Sequence, residues 1–148
     1  MNAELKHFDE AVASLTAVGE GFEVNTVELA GVQYRNFATL PANLAQYFTV
    51  MLQHAEKEFA VYLDERYTFG QGYQRSCEFG AALVERYGLV KGDRVAILSR
   101  NNPQWMMAFI GITSVGCVAV PMNGWWTTEE LDYGFADSGA KIVVADRA

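Results

Sequence analysis

Among the 148 residues, the side chains with the greatest chemical capacity are two histidines, two cysteines and a tryptophan pair in "GCVAVPMNGWWTTEEL" (116–131). A metal site needs three or four donors, commonly with a second one at i+3 or i+4 on the same helix. His7 and His54 each stand alone in a helical pattern, so both are read as helix-face residues and no metal ligands are expected. Cys77 and Cys117 form no Cys-x-x-Cys pair, which argues against zinc or a disulfide framework; both are expected to be small buried apolar groups. A nucleotide fold places glycines directly after its first strand, because backbone N–H groups must approach phosphate closely. Here "RVAILS" is followed by "RNNPQW". The run "GITSVG" (111–116) has the glycine spacing of a phosphate loop but lies at a helix end, so it is read as helix packing and termination. No nucleophile-elbow serine, Cys/His pair or carboxylate pair with a reason for a raised pKa is present, and no catalytic residue is expected.

The elements that must position the tryptophans follow from periodicity. Leu5, Phe8, Val12 and Leu15 predict an amphipathic helix over 4–18. Looser extended segments follow around Gly31, then a second helix from Pro41 to about residue 59 along Leu44, Phe48, Leu52, Ala55 and Phe59. Ala60 to Leu63 and Tyr67 to Phe69 read as strands around an acidic turn at Asp64 and Glu65. Thr68 and Gln71 have capping-box spacing, so a helix starts there and runs to Tyr87, with Gly88 and Leu89 predicting a Schellman ending.

The regular part comes next: strands at 94–99, 117–121 and 141–146, separated by helices opened by Asn102-Pro103 and by a second capping box at Thr127 and Glu130. Continuously apolar strands alternating with amphipathic helices predict an α/β fold with a parallel βαβαβ sheet and flanking helices. The tryptophan pair then lies on a strand-to-helix loop at the carboxyl edge of that sheet, where open α/β folds place ligands. Asn101 and Asn102 are read as helix caps before Pro103, and Trp105 as core or domain-contact surface. The sequence divides into a helical and extended segment, 1–59, and the βαβαβ part, 60–148.

Composition excludes several classes. Apolar residues make up 51% and charged residues 20%, too apolar for disorder, and no apolar run approaches a membrane span. A net charge of −7 with eleven scattered basic residues argues against nucleic acid, which needs a Lys/Arg stripe. The acidic start "MNAELKHFDE" does not resemble a signal peptide, so a cytoplasmic location is expected.

Four stretches fall in order between residues 61 and 146: "RYTFGQ", "GLVKGDRVAIL", "NNPQWMMAFIGITSVGCVAVPMN" and "TTEELDYGFADSGAKIVVAD". Together they resemble the N-terminal part of the adenylate-forming superfamily, which includes acyl-CoA synthetases, nonribosomal-peptide adenylation domains and luciferases. "PMNGWWTTEEL" and "GVQYRNFATLPANLAQYF" are most similar to bacterial fatty-acyl-CoA ligases. The resemblance implies a parent enzyme that joins ATP and a carboxylate into an acyl-adenylate, with magnesium assisting, and then uses coenzyme A thiol to displace AMP. It also implies a Ser/Thr/Gly-rich loop ending in Pro-Lys-Gly, an acidic ribose contact and a C-terminal lysine. None of these maps onto residues 1–148, so no cofactor is expected to be bound by this chain alone.

The expectation is therefore an incomplete N-terminal domain whose partner is the missing remainder of the same protein, with homo-oligomerisation left open. The apolar strand at 141–146 supports it, because such a strand needs neighbours and cover. Two other readings stand beside it: a stand-alone binding module using the last strand and the tryptophans as its contact surface, or one chain of a split ligase. Trp125 likewise has two readings. Trp125 or Trp126 packs on the following helix or on the remainder of the protein, or, as the resemblance implies for its position, Trp125 contacts the coenzyme A nucleotide. Related ligases often place a basic residue there, whereas an indole would stack on adenine.

Overall fold

The computed structural model describes residues 3–146, with side chains from Lys6, and the chain divides between Ala42 and Asn43. The first unit holds helix α1 (Ala3–Leu15) and an antiparallel hairpin of β1 (Val24–Leu29) and β2 (Val32–Phe37). Leu5, the first residue of the predicted stripe, has its side chain outside the described residues. The helix stops short of residue 18, and the chain turns through Gly19 at φ +87°. The hairpin loop is Ala30-Gly31, both at positive φ, the type I′ pattern whose twist matches that of the paired strands. None of residues 6–42 is buried.

In the second unit, the helix expected from Pro41 to residue 59 is replaced by three elements. These are α2 (Leu44–Phe48), a 3-10 helix (Thr49–His54) and strand β3 (Glu58–Tyr62). The tighter 3-10 winding buries Met51 and leaves Leu52 exposed, so the predicted stripe does not persist. The run Glu58–Tyr62 instead gains ladder hydrogen bonds with β4 (Glu65–Thr68) across a two-residue loop, and Phe59 packs on Phe69 with ring centroids 5.2 Å apart. Residues 43–59 pack on the helices that follow and belong to the second compact unit.

Helix α3 (Phe69–Glu85) opens with the predicted capping box: Gln71 N–H donates to Thr68 Oγ1, and Thr68 N–H donates to Gln71 Oε1. It closes on Gly88 at φ +66°, whose N–H reaches the Val84 carbonyl. Leu89 N–H also reaches the Leu83 carbonyl at 3.1 Å, so two nested bonds close the helix in the manner of the predicted Schellman pair, each spanning one residue more. The expected apolar contact is kept, because Leu83 and Leu89 share the core.

The three remaining strands, β5 (Arg94–Leu98), β6 (Val118–Pro121) and β7 (Ile142–Ala145), form the predicted parallel sheet in the order β6-β5-β7. Helix α4 (Pro103–Ser114) links β5 to β6, and α5 (Thr128–Ser138) carries the chain past β5 to β7. Register sets Val95 between Ala119 and Ile142, and Ile97 beside Val144, on one face. That face meets Leu83 of α3 and Ala108 and Ile112 of α4 in the core. Full burial of Val95, Ile97, Leu83 and Ile112 stabilises the fold by about 1.5–3 kcal/mol each. The other face is less covered: Ala96 is buried, but Val143 stays 44% exposed. Strand β6 ends at Pro121, opposite Ile97, and Met122 N–H then donates to the Ile97 carbonyl at 2.9 Å. Lys141, just before β7, pairs with Asp93, just before β5, at 2.6 Å, and this hydrogen bond holds the Asp93 carboxyl below the usual aspartate range.

The cysteines do not share one environment. Cys117 is buried as expected, and burial pushes its thiol up; Cys77 is exposed on α3, because the buried positions of that helix are Gly72, Ser76, Gly80 and Leu83. Of these, Ser76 and Gly80 let α3 and α4 cross with their backbones in contact, whereas Gly72 faces Phe59 and Met51. A Cβ at Gly111 would lie 2.5 Å from the Ser76 carbonyl oxygen, and one at Gly80 would lie 2.9 Å from the Gly111 carbonyl oxygen. In "GITSVG", then, Gly111 serves packing and Gly116, at φ +80°, serves termination.

The crossing yields a prediction whose sign is set by two opposed effects. Alanine is favoured over glycine in a helix by about 1 kcal/mol, but overpacking against a rigid backbone costs about 1–3 kcal/mol. Gly111→Ala should therefore lower unfolding stability, read as a lower urea midpoint. Gly124→Ala, where a Cβ meets nothing within 4 Å, should leave the midpoint unchanged.

Candidate functional site

Three chain segments meet at the carboxyl edge of the parallel sheet: residues 99–102 after β5, residues 122–127 after β6, and Asp146 after β7. Strand order reverses at β5, since β6 lies on one side of it and β7 on the other, which makes this edge the switch point of the sheet. Between the first two segments lies a cavity of 520 Å³ lined in part by Ser99, Arg100, Asn101, Trp105, Asn123 and Trp125. Arg100 is the charged residue of that lining. The composition suits a planar apolar group flanked by polar or anionic substituents.

The Asn-Gly turn builds one wall. Asn123 Oδ1 accepts the Trp125 N–H at 3.0 Å, an Asx-turn, and the Asn123 carbonyl accepts the Trp126 N–H at 3.1 Å. This local geometry sends the two indoles to different places. Trp126 is 38% exposed and packs where a Cβ on Gly134 of α5 would sit 2.9 Å from its ring, with the Met122 sulfur close by. Trp125 is 91% exposed and stands on the cavity rim. The packing role thus falls to Trp126, and Trp125 is left free on the rim.

Asn102 builds the other wall. It is the N-cap of α4, its Oδ1 accepting the Trp105 N–H at 2.8 Å with Pro103 in the first turn, as the sequence predicts. Its Nδ2 donates to Ser99 Oγ at 2.9 Å. Trp105 stacks on Phe109, 5.7 Å between centroids and nearly parallel, and packs against the core. Asn101 is exposed and lines the cavity without acting as the cap. At the start of α4, Gln104 Nε2 donates to Glu65 Oε2 at 3.0 Å, tying β4 to this helix; Tyr67 and Gln104 hydrogen bonds hold the Glu65 carboxyl down.

Sequence reading did not single out Arg100, Asn123 or Asp146. Asp146 Oδ2 accepts the Arg100 N–H at 3.1 Å, and that backbone bond, with Ser99 and the Arg100 charge, holds its carboxyl below the usual range. The Asn-Gly turn signal could have found Asn123, but no local signal points to Asp146. Among the described residues, no group of His, Cys, Asp and Glu could hold a metal ion, and no helix is long and apolar enough to cross a membrane.

Residues 48–148 match the family described as AMP-binding enzyme. A long-chain-fatty-acid–CoA ligase of Yersinia pestis is 36% identical over 93 residues, covering 63% of this chain and 16% of that protein. A 4-hydroxybutyrate–CoA ligase 2 of Metallosphaera sedula is 34% identical over 91 residues, covering 62% and 16%. Among solved structures, the anthranilate CoA ligase AuaEII in complex with anthranoyl-AMP superposes at a TM-score of 0.67 and 27% identity, over 72% of this chain and 21% of that one. The N-terminal domain of FACL13 from Mycobacterium tuberculosis gives 0.67 and 28%, over 71% and 27%. The chain thus spans about one-sixth of the length of these curated relatives.

The cap is the testable joint of the site. Asn102→Ala removes the acceptor for Trp105 N–H and should cost about 1 kcal/mol of stability in urea unfolding. Asn102→Ser, which keeps a capping oxygen without setting a second carboxylate beside Asp146, should retain most of it.

Proposed function

The chain belongs to the AMP-binding enzyme family, and from that premise we propose that it is the N-terminal part of a cytoplasmic ATP-dependent fatty-acid–CoA ligase. In the proposed parent reaction, a carboxylate attacks ATP to give an acyl-adenylate and pyrophosphate, and the thiol of coenzyme A then displaces AMP. The supporting observation is similarity to a long-chain-fatty-acid–CoA ligase over 63% of this chain but only 16% of that relative. The remainder of the same protein is its proposed partner.

The residues present do not fit the nucleoside triphosphate and its magnesium. The segment after β5 carries no glycine run to cradle phosphates, and the described residues offer no acidic or histidine cluster for the ion. No step of adenylation is therefore assigned to this chain. Its own contribution is a rim: Trp125 presents an open indole face on a cavity that also holds Arg100, a combination suited to the adenine and phosphate groups of coenzyme A.

Two measurements test this reading. The pure 148-residue chain should show no carboxylate-dependent ATP–pyrophosphate exchange; measurable exchange would overturn the division of labour proposed here. Trp125→Ala should weaken coenzyme A binding to the chain, titrated calorimetrically. The stacking loss of about 1–3 kcal/mol corresponds to roughly 5- to 150-fold. Unchanged affinity would return Trp125 to a packing role.

A further inference from the structure

The carboxyl edge is held together by one residue distant in sequence from the loop it contacts. Asp146 Oδ2 accepts the Arg100 N–H at 3.1 Å and faces Asn102 Nδ2 at 3.4 Å. Asn102 in turn bonds Ser99 through the same nitrogen and the first turn of α4 through its oxygen. The path from the end of β7 to the start of α4 therefore runs through two side chains, and residues 99–102 are fixed at both of their ends. Arg100 and Asn101, the members of that loop on the cavity wall, carry no other hydrogen bond joining their backbone to a neighbouring strand among the bonds described.

We infer that Asp146 is a positioning residue, whose carboxylate clamps the Ser99–Asn102 loop so that Arg100 and Asn101 form a preset wall opposite Trp125. The inference rests on the nucleotide reading of that cavity. A backbone N–H bonded to a carboxylate is among the stronger hydrogen bonds, and it fixes the main chain at the residue whose guanidinium lines the site. Without it, the loop would be held only at Asn102, and a ligand would have to order the wall on binding.

The test uses the 148-residue chain and two variants, Asp146→Ala and Asp146→Asn, with adenosine 3′,5′-bisphosphate as the probe. Amide hydrogen exchange read by NMR should speed up about tenfold or more at Arg100 in D146A, while the amides of Val95 and Ile97 keep their protection. Probe affinity should fall about tenfold in D146A. D146N keeps an acceptor oxygen and should restore both within roughly twofold. Unchanged exchange at Arg100 in D146A overturns the clamp. A loosened Arg100 amide with unchanged probe affinity overturns the positioning role. A wild-type chain that does not bind the probe removes the nucleotide reading and the positioning role together, while exchange at Arg100 still decides whether the clamp exists.

Discussion

The arrangement of the second unit depends on a backbone contact between two helices. At the crossing of α3 and α4, Ser76, Gly80 and Gly111 leave no space for one further carbon. Three glycines within α3 and one in α4 weaken these helices by about 1 kcal/mol each relative to alanine. The compensation is proximity: with the helices this close, Leu83, Ala108 and Ile112 reach Val95 and Ile97 in a single core. Helix α4 is thus seated in its C-terminal half by the crossing at Gly111 and capped at its start by Asn102.

Much of this was legible in the sequence where the signal is local. Thr68 with Gln71 and Thr127 with Glu130 announce both capping boxes, because a cap is a contact across three residues. The continuous apolar strands announce the parallel sheet for a similar reason. What was misread is where tertiary contact overrides periodicity. Residues 41–59 carry a helical stripe, yet Phe59 packs against Phe69 and over Gly72, so the chain tightens after Phe48 and becomes a strand at Glu58. Residue type alone predicts a buried Cys77, but the inward face of α3 runs through Gly72, Ser76, Gly80 and Leu83, and position 77 lies off it.

The site was half legible. Its place at the sheet edge and the cap role of Asn102 followed from pattern, and the tryptophan pair marked one wall. The division of labour within that pair did not, because it turns on how Asn123 folds the loop and on Gly134 of α5 making space for one indole. Nor did the link between Asp146 and Arg100, which joins positions that only the strand order brings together.

Pro121 gives the described sheet unequal borders. In a parallel ladder the donors of successive residues point to opposite sides, and Met122 N–H points inward to Ile97, so position 121 faces outward from β6 with no N–H to offer. Strand β7 has no proline and presents its outer side complete. A further strand joining beside β6 would find the ladder one donor short, whereas beside β7 it would meet an unbroken template. The sheet thus carries a built-in direction of growth, and with it an asymmetry in where unwanted edge-to-edge association would begin.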